Sequence, residues 1–140
     1  MKLSYGLLVI IILLDRITKQ LVVTFQPSNL FDGFVVTAIN PDQAFSLAWS
    51  PYLVWPLTAV LIAYCSWQAW SLALLGRREY WPWALIVIGA VSNVVDRLLY
   101  AGVVDFINLK LWPVFNLADC TIVIGVIWLL VREFKIKKVI

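Results

Sequence analysis

The sequence predicts an all-α membrane protein: four transmembrane helices with a small extracytoplasmic β-element at the outer face. Three observations carry this. The first is composition. The chain has 140 residues, of which 63% are hydrophobic and only 14% charged, with a mean hydropathy of +0.92. A soluble domain averages about 45–50% apolar and about 25% charged residues. The second is four apolar stretches, at roughly 3–24, 53–75, 81–100 and 116–134, each near the ~20 residues needed to cross the hydrocarbon core. The third is the placing of the cations. Lys2, Arg77, Arg78, Arg132, Lys135, Lys137 and Lys138 flank one set of helix ends, and no basic residue stands between Lys19 and Arg77.

The length suits a single integral membrane domain over 1–140. The first stretch has a basic start and an apolar run, as a signal peptide does, but it lacks a small-residue cleavage site. Its helix is expected to run on through Asp15-Arg16-Ile17-Thr18-Lys19 and to be retained. The second and third stretches flank the Arg77-Arg78 loop. The excess of cations there and at both ends puts the termini and the 76–80 loop in the cytoplasm, with 25–52 and 101–115 facing outward. Trp49, Tyr52 and Trp55 then mark the outer interface and Tyr80, Trp81 and Trp83 the inner one. In the outward segments, Phe34 to Ile39 is β-prone and bracketed by Asp32-Gly33 and Asn40-Pro41. Val103 to Ile107 reads the same way after Gly102, which is placed to close helix three. These two strands are expected to pair into a small sheet, to which an extended peptide could add as a further strand. Asn116, after Pro113, is a good cap for helix four, with Asp119 in its first turn.

Composition also excludes functions. With zero histidines, Ser-His and Cys-His pairs are impossible and the commonest transition-metal ligand is missing. Cys65 and Cys120 fall in separate helices, where neither a disulfide nor a thiolate metal site is expected. The net charge of +3 sits at the ends and one loop, which is a topology signal and not a nucleic-acid footprint.

What remains is polarity where none is cheap. Asn93-Val94-Val95-Asp96-Arg97, Val103-Val104-Asp105-Phe106 and Phe115-Asn116-Leu117-Ala118-Asp119 carry three aspartates inside or beside apolar sequence. An ionisable group in hydrocarbon costs about 2.5–3.5 kcal/mol or more, so such groups are functional-site candidates. Asn93, Asp96 and Arg97 share one helix face, where Asp96 is expected to pair with an arginine and the three to support a site. Asp15 and Lys19 are four apart on helix one. They form an ion pair, or else Lys19 contacts a phospholipid or lipid-modified substrate while Asp15 anchors the helix. Arg16, off that face, is free to neutralise an aspartate from another helix. Asp119 in a first helical turn is favoured by the dipole, and capping alone would explain it. Asp105, in an apolar Val-Val-Asp-Phe-Ile strand, invites a partner. Both lie at the outer boundary and can face each other across helices three and four. Two close carboxylates cannot both ionise easily, so one keeps a proton while the other activates water, and they titrate as a unit.

These motifs in this order resemble lipoprotein signal peptidase (signal peptidase II), an aspartyl intramembrane protease family. The matching stretches are Asp15-Arg16-Ile17-Thr18-Lys19, Asn40 with Ala44-Phe45, Asn93-Val94-Val95-Asp96-Arg97, Val104-Asp105-Phe106 and Phe115-Asn116-Leu117-Ala118-Asp119. The resemblance implies that Asp105 and Asp119 are the catalytic pair. It implies that Asp15, Lys19, Asn40, Asn93, Asp96, Arg97 and Asn116 support the site or contact substrate. The implied reaction removes the signal peptide of a prolipoprotein just before its diacylglyceryl-modified cysteine, at the outer face of a bacterial inner membrane. Implied partners are that substrate, membrane phospholipid and globomycin-like peptide inhibitors; no cofactor is implied. One departure stands out. The family pattern has glycine two residues after the asparagine, where this chain has Asn40-Pro41-Asp42. That loses the freedom of glycine and adds a charge. The outward connections are also short for the family. A divergent paralogue with altered substrate or inhibitor sensitivity is the expectation these raise.

Other readings compete. A Ser-Lys hydrolase would use Lys19 as base and Ser46 or Ser92 as nucleophile, though no motif sets a serine beside that lysine. A small proton-coupled transporter would use Asp15, Asp96, Asp105 and Asp119 as a relay, but no repeat or broken helix supports it. A purely structural protein would leave the intramembrane charges without a use. A metal held by Asp42, Asp105 and Asp119 is conceivable on oxygen ligands, but a carboxylate dyad needs none.

Overall fold

A computed structural model describes residues 2–27, 30–41 and 51–137. Among the described residues, four helices and two strands follow in the order α1 (Lys2–Phe25), β1 (Val35–Asn40), α2 (Pro51–Leu74), α3 (Tyr80–Tyr100), β2 (Val103–Ile107) and α4 (Leu117–Lys137). The ends fall within a few residues of the four apolar stretches. α2 and α3, over Tyr52–Leu74 and Tyr80–Tyr100, are long and apolar enough to cross a membrane. α1 is interrupted by Asp15, Arg16 and Lys19, and α4 by Asp119 at one end and Arg132, Glu133, Lys135 and Lys137 at the other.

The interior is inverted relative to a soluble protein. Asp15, Lys19, Ser92, Asn93, Asp96, Asp105 and Asn116 are buried. Leu13, Leu14 and Ile17 of α1, Val60 and Trp67 of α2, and Ile124, Ile127 and Leu130 of α4 are exposed. Apolar surface outside and charge inside is the arrangement that a hydrocarbon solvent favours.

α3 is the central element, packed on α1, α2, α4 and β2. Its contact with α4 depends on two glycines facing opposite ways. A Cβ on Gly89 would collide with the Ala118 carbonyl oxygen and Thr121 Oγ1, and would lie 2.7 Å from Ile122 Cγ1. A Cβ on Gly125 would lie 2.6 Å from the Pro82 carbonyl oxygen. Small residues let backbones approach where lipid gives no hydrophobic drive between helices.

β1 and β2 pair antiparallel, with Ala38 opposite Asp105, Ile39 opposite Val104 and Asn40 opposite Val103. β1 starts one residue later than its β-prone run. Asp32 and Gly33 take left-handed φ of 56° and 79°, and the Phe34 N–H closes the turn on the Phe31 carbonyl at 3.0 Å. Val22, Val104 and Phe106 form the apolar core under the sheet, flanked by Val23, Tyr100, Ile107 and Leu117.

One expectation needs correction. α3 is closed by Ala101 in the left-handed region (φ 56°), not by Gly102. Gly102 instead admits β1, since a Cβ there would stand 2.9 Å from the Asn40 carbonyl oxygen. Tyr80 opens α3 and is buried against the protein, with its ring stacked on Trp81 at 5.8 Å. Trp49 lies outside the described residues, as do Asp42, Ala44, Phe45 and Ser46. Cys65 and Cys120 are free thiols.

Gly89→Ala should force α3 off the first turn of α4. The expected cost is about 1–3 kcal/mol, read as a lower thermal unfolding midpoint in detergent, with a smaller effect from Gly6→Ala, where a Cβ meets nothing within 4 Å.

Candidate active site

The site is assembled where α1, α3, β2 and the first turn of α4 meet, and each element contributes for a local reason. Asn116 and Asp119 form a reciprocal cap on α4. The Asp119 N–H donates to Asn116 Oδ1 at 3.0 Å, and the Asn116 N–H donates to Asp119 Oδ2 at 3.2 Å. This satisfies amides that a helix start leaves without partners, and it fixes Asp119 against the positive end of the dipole. The capping role expected for Asp119 is therefore present, and its other oxygen is still free to reach across to α3.

Asp105 is fixed by strand pairing. Asn40 is its diagonal neighbour on the same face of the sheet, and Asn40 Nδ2 stands 3.4 Å from Asp105 Oδ2. Asn116 Nδ2 donates to Asp105 Oδ1 at 2.7 Å. The two carboxylates are then linked through amides. Asn116 Nδ2 also reaches Asn93 Oδ1 at 3.3 Å, and Asn93 Nδ2 donates to Asp119 Oδ1 at 2.7 Å. Asn93 and Asn116 thus hold Asp105 on one side and Asp119 on the other.

Behind them is a buried ion cluster. The Lys19 ammonium, 0% exposed, lies 3.0 Å from Asp15 Oδ2 and 2.8 Å from Asp96 Oδ2. It also donates to Asn93 Oδ1 at 3.1 Å and approaches Ser92 Oγ at 3.4 Å. Lys19 is therefore turned into the protein, paired with Asp15 as one expectation had it, and away from any lipid headgroup. Arg16 Nη1 binds Asp96 Oδ1 at 2.6 Å, which identifies the arginine partner of Asp96. Arg97, next to Asp96 in sequence, is half-buried; its Nη1 donates to the Asn93 carbonyl at 3.3 Å. It lies in the field of Asp119, Asp105 and Asp96.

The cluster also grips the backbone beside each aspartate of the pair. Asp15 Oδ1 accepts from the Ala118 N–H at 2.9 Å, one residue before Asp119. Asp96 Oδ2 accepts from the Val104 N–H at 3.3 Å, one residue before Asp105. All nine residues singled out from the sequence thus fall in one connected region. Arg16 does neutralise an aspartate from another helix, as expected, and Asp96 is that aspartate; sequence reasoning missed Ser92 as a hub. Ser92 donates to Asp15 Oδ2 and faces both Lys19 and Arg16. Its position four residues before Asp96, on the same helix face, was the available signal.

The Ser-Lys alternative does gain a contact, since Ser92 stands beside Lys19. Its geometry fails, because Ser92 donates its proton to Asp15 and accepts from Lys19, the reverse of the direction that a lysine base needs. Among the described residues no three metal-ligating side chains cluster.

Comparisons with known proteins agree with one another. A family model described as signal peptidase (SPase) II matches residues 7–135. The chain is similar to the lipoprotein signal peptidase of Pelodictyon phaeoclathratiforme, 33% identical over 162 aligned positions covering 97% of this chain and 92% of that protein. It is similar also to that of Ralstonia nicotianae, 37% identical over 143 positions covering 93% and 83%. A solved structure of a bacterial membrane enzyme shares the fold, with a TM-score of 0.71 at 22% identity, covering 96% of this chain and 89% of that one.

Asp105, on β2 and outside the helices, has a raised proton affinity. Burial first, and then the Asp119 charge, push its carboxyl up to about 6 from an ordinary 3.8, outweighing the amide bonds from Asn116 and Asn40 and the Lys19 charge. Between these two values the folded chain holds a proton that the unfolded chain has released. Stability should therefore fall as pH rises from about 4 to about 6 and level off above, by at most about 3 kcal/mol. Asp105→Asn should flatten that slope in thermal unfolding followed against pH, and leave the protein more stable than wild type at pH 7.

Proposed function

The chain belongs to the signal peptidase II family and is a peptidase that removes signal peptides from prolipoproteins, and on that premise we propose that Asp105 and Asp119 are its catalytic pair. The observation that carries this is the amide bridge, Asp105 to Asn116 to Asn93 to Asp119, which holds two carboxylates in one site while giving them unlike surroundings.

The roles follow from those surroundings. Asp105, whose carboxyl is pushed up to about 6, is the member that keeps the proton. Asp119, at the N-terminus of α4, is the charged member. Asp119 takes a proton from water as its oxygen attacks the scissile carbonyl carbon, and Asp105 donates its proton to the carbonyl oxygen. The tetrahedral adduct collapses as Asp105 recovers that proton and Asp119 protonates the leaving amine of the lipid-modified cysteine. Asn93 and Asn116 orient the pair. Arg97 and Asn40 border it and are the residues we assign to substrate contact. Asp15, Lys19 and Asp96 position the backbone on which the pair stands.

The enzyme acts in a bacterial membrane. We assign four spans to α1–α4 in a single domain over 1–140, with both termini and the Arg77-Arg78 turn in the cytoplasm and the sheet and aspartates at the outer face. The exposed apolar faces of α1 and α4 and the cations at one set of helix ends support this. Globomycin-like peptides and membrane phospholipid are the further ligands this reading admits. The Pro41-Asp42 step, in place of the family glycine, bears on substrate preference and not on the pair.

The test is cleavage of a diacylglyceryl-cysteine precursor peptide by purified protein in detergent. Wild type should cut before the lipidated cysteine. Asp105→Asn and Asp119→Asn should each lose about 10³-fold or more in kcat while keeping the wild-type melting behaviour or better. Loss of cleavage in Ser92→Ala with full activity in Asp105→Asn would instead install the Ser-Lys chemistry.

A further inference from the structure

The connection from β2 to α4 is a tied loop with an unusual surface. Its ends are joined by Ile107 N–H to the Phe115 carbonyl at 2.8 Å and Phe115 N–H to the Ile107 carbonyl at 3.1 Å. Asn108 N–H binds the Phe34 carbonyl at 2.9 Å, and Asn108 Oδ1 accepts from the Lys110 N–H at 2.9 Å. Lys110 itself sits in the left-handed region at φ 63°. Turns of this kind in water carry Gly, Asn, Asp or Ser. Here the sequence is Leu109-Lys110-Leu111-Trp112, with Leu111 97% exposed and Trp112 57% exposed.

A single cation between apolar side chains, followed by an amphipathic aromatic ring, is the composition of a membrane–water interface. The loop's place agrees. β2 leaves from the end of α3 and the chain returns directly into α4, so the loop lies level with the outer ends of both helices. Leu98 and Leu99, exposed in the last turn of α3, continue the apolar outer surface of the helices up to it. Lys110 is the only basic residue between Arg97 and Arg132.

We propose that the Leu109–Trp112 loop is an interfacial anchor whose apolar side chains enter the outer leaflet while Lys110 meets lipid phosphate. The loop joins the strand of Asp105 to the helix of Asp119, so its depth sets the depth of the pair relative to a lipid-bearing substrate. The proposal rests on the four-span reading above.

The test places a nitroxide at Leu111→Cys, with Ile124→Cys as a lipid reference and Arg78→Cys as an aqueous one, each in a Cys65→Ala, Cys120→Ala background. The protein is reconstituted in vesicles of phosphatidylethanolamine and phosphatidylglycerol. Collision rates with oxygen and with a water-soluble nickel chelate report depth. The position 111 label should show an oxygen-to-nickel ratio several-fold above that at 78 and below that at 124. A ratio at 111 equal to that at 78, with 124 in lipid, overturns the anchor and leaves the four spans standing. A ratio at 124 equal to that at 78 overturns both. Leu111→Asp in the otherwise native chain needs no label. It should slow lipopeptide cleavage about fivefold in the same vesicles and leave cleavage in micelles unchanged; equal cleavage in vesicles overturns the anchor.

Discussion

The Lys19 ammonium is the interaction on which the rest of the structure turns. Fully buried between Asp15 and Asp96, it makes tolerable two carboxylates that would otherwise be buried without sufficient counter-charge, with Arg16 completing the balance on Asp96. Burying ions is costly unless every charge is paired and every lone pair used. This cluster meets the condition by spending its remaining oxygens on the backbone. Asp15 binds the amide before Asp119, and Asp96 binds the amide before Asp105. One cation thereby couples α1 to α3, to the strand and to the start of α4. The backbone beneath the two aspartates is thus braced from behind, by groups that touch neither carboxylate, while Asn93 and Asn116 hold the carboxylates themselves.

The apolar side chains do different work here. In a soluble domain their burial would drive assembly; here most of the large ones face outward, and helix association must come from close packing and polar contacts. Gly89 and Gly125 serve the first, by letting α3 and α4 meet backbone to side chain. The cluster around Lys19 serves the second. Both meet at Ala118, whose carbonyl lies against Gly89 and whose amide is held by Asp15. The residue before Asp119 is therefore fixed on both of its peptide faces, so structural stability and the geometry of the pair depend on the same few contacts.

Local signals were legible in the sequence, and signals that depend on helix rotation were not. Apolar length placed the four helices to within a few residues, and Asp32-Gly33 and Asn116 announced a turn and a cap through their own backbone preferences. The partner of Asp96 was less accessible. Arg97 is adjacent to Asp96 in sequence but points elsewhere, while Arg16 arrives from a helix whose azimuth only the packing decides. Ser92 was hidden for the same reason, as a common residue given its meaning by Asp15, Arg16 and Lys19. Gly102 misled because a glycine after a helix most often supplies positive φ. Here Ala101 adopts that conformation, and Gly102 is needed for the space it leaves to Asn40.

The two aspartates are unlike because the backbone beneath them is unlike. Asp119 stands in the first turn of a helix, where unpaired amides and the dipole favour a negative charge, and where it already accepts an N–H from Asn116. Asp105 stands on a strand, whose dipole is small, and is held by side-chain amides in a buried setting. Exchanging the roles we propose for them would put the charge on the strand, farther from the helix terminus and deeper in the protein, and the proton where the amides and dipole oppose it. A pair of carboxylates needs some asymmetry if one is to act as acid while the other acts as base. In this chain the asymmetry is built from secondary structure, and the Asn93–Asn116 bridge keeps the two environments joined without making them alike.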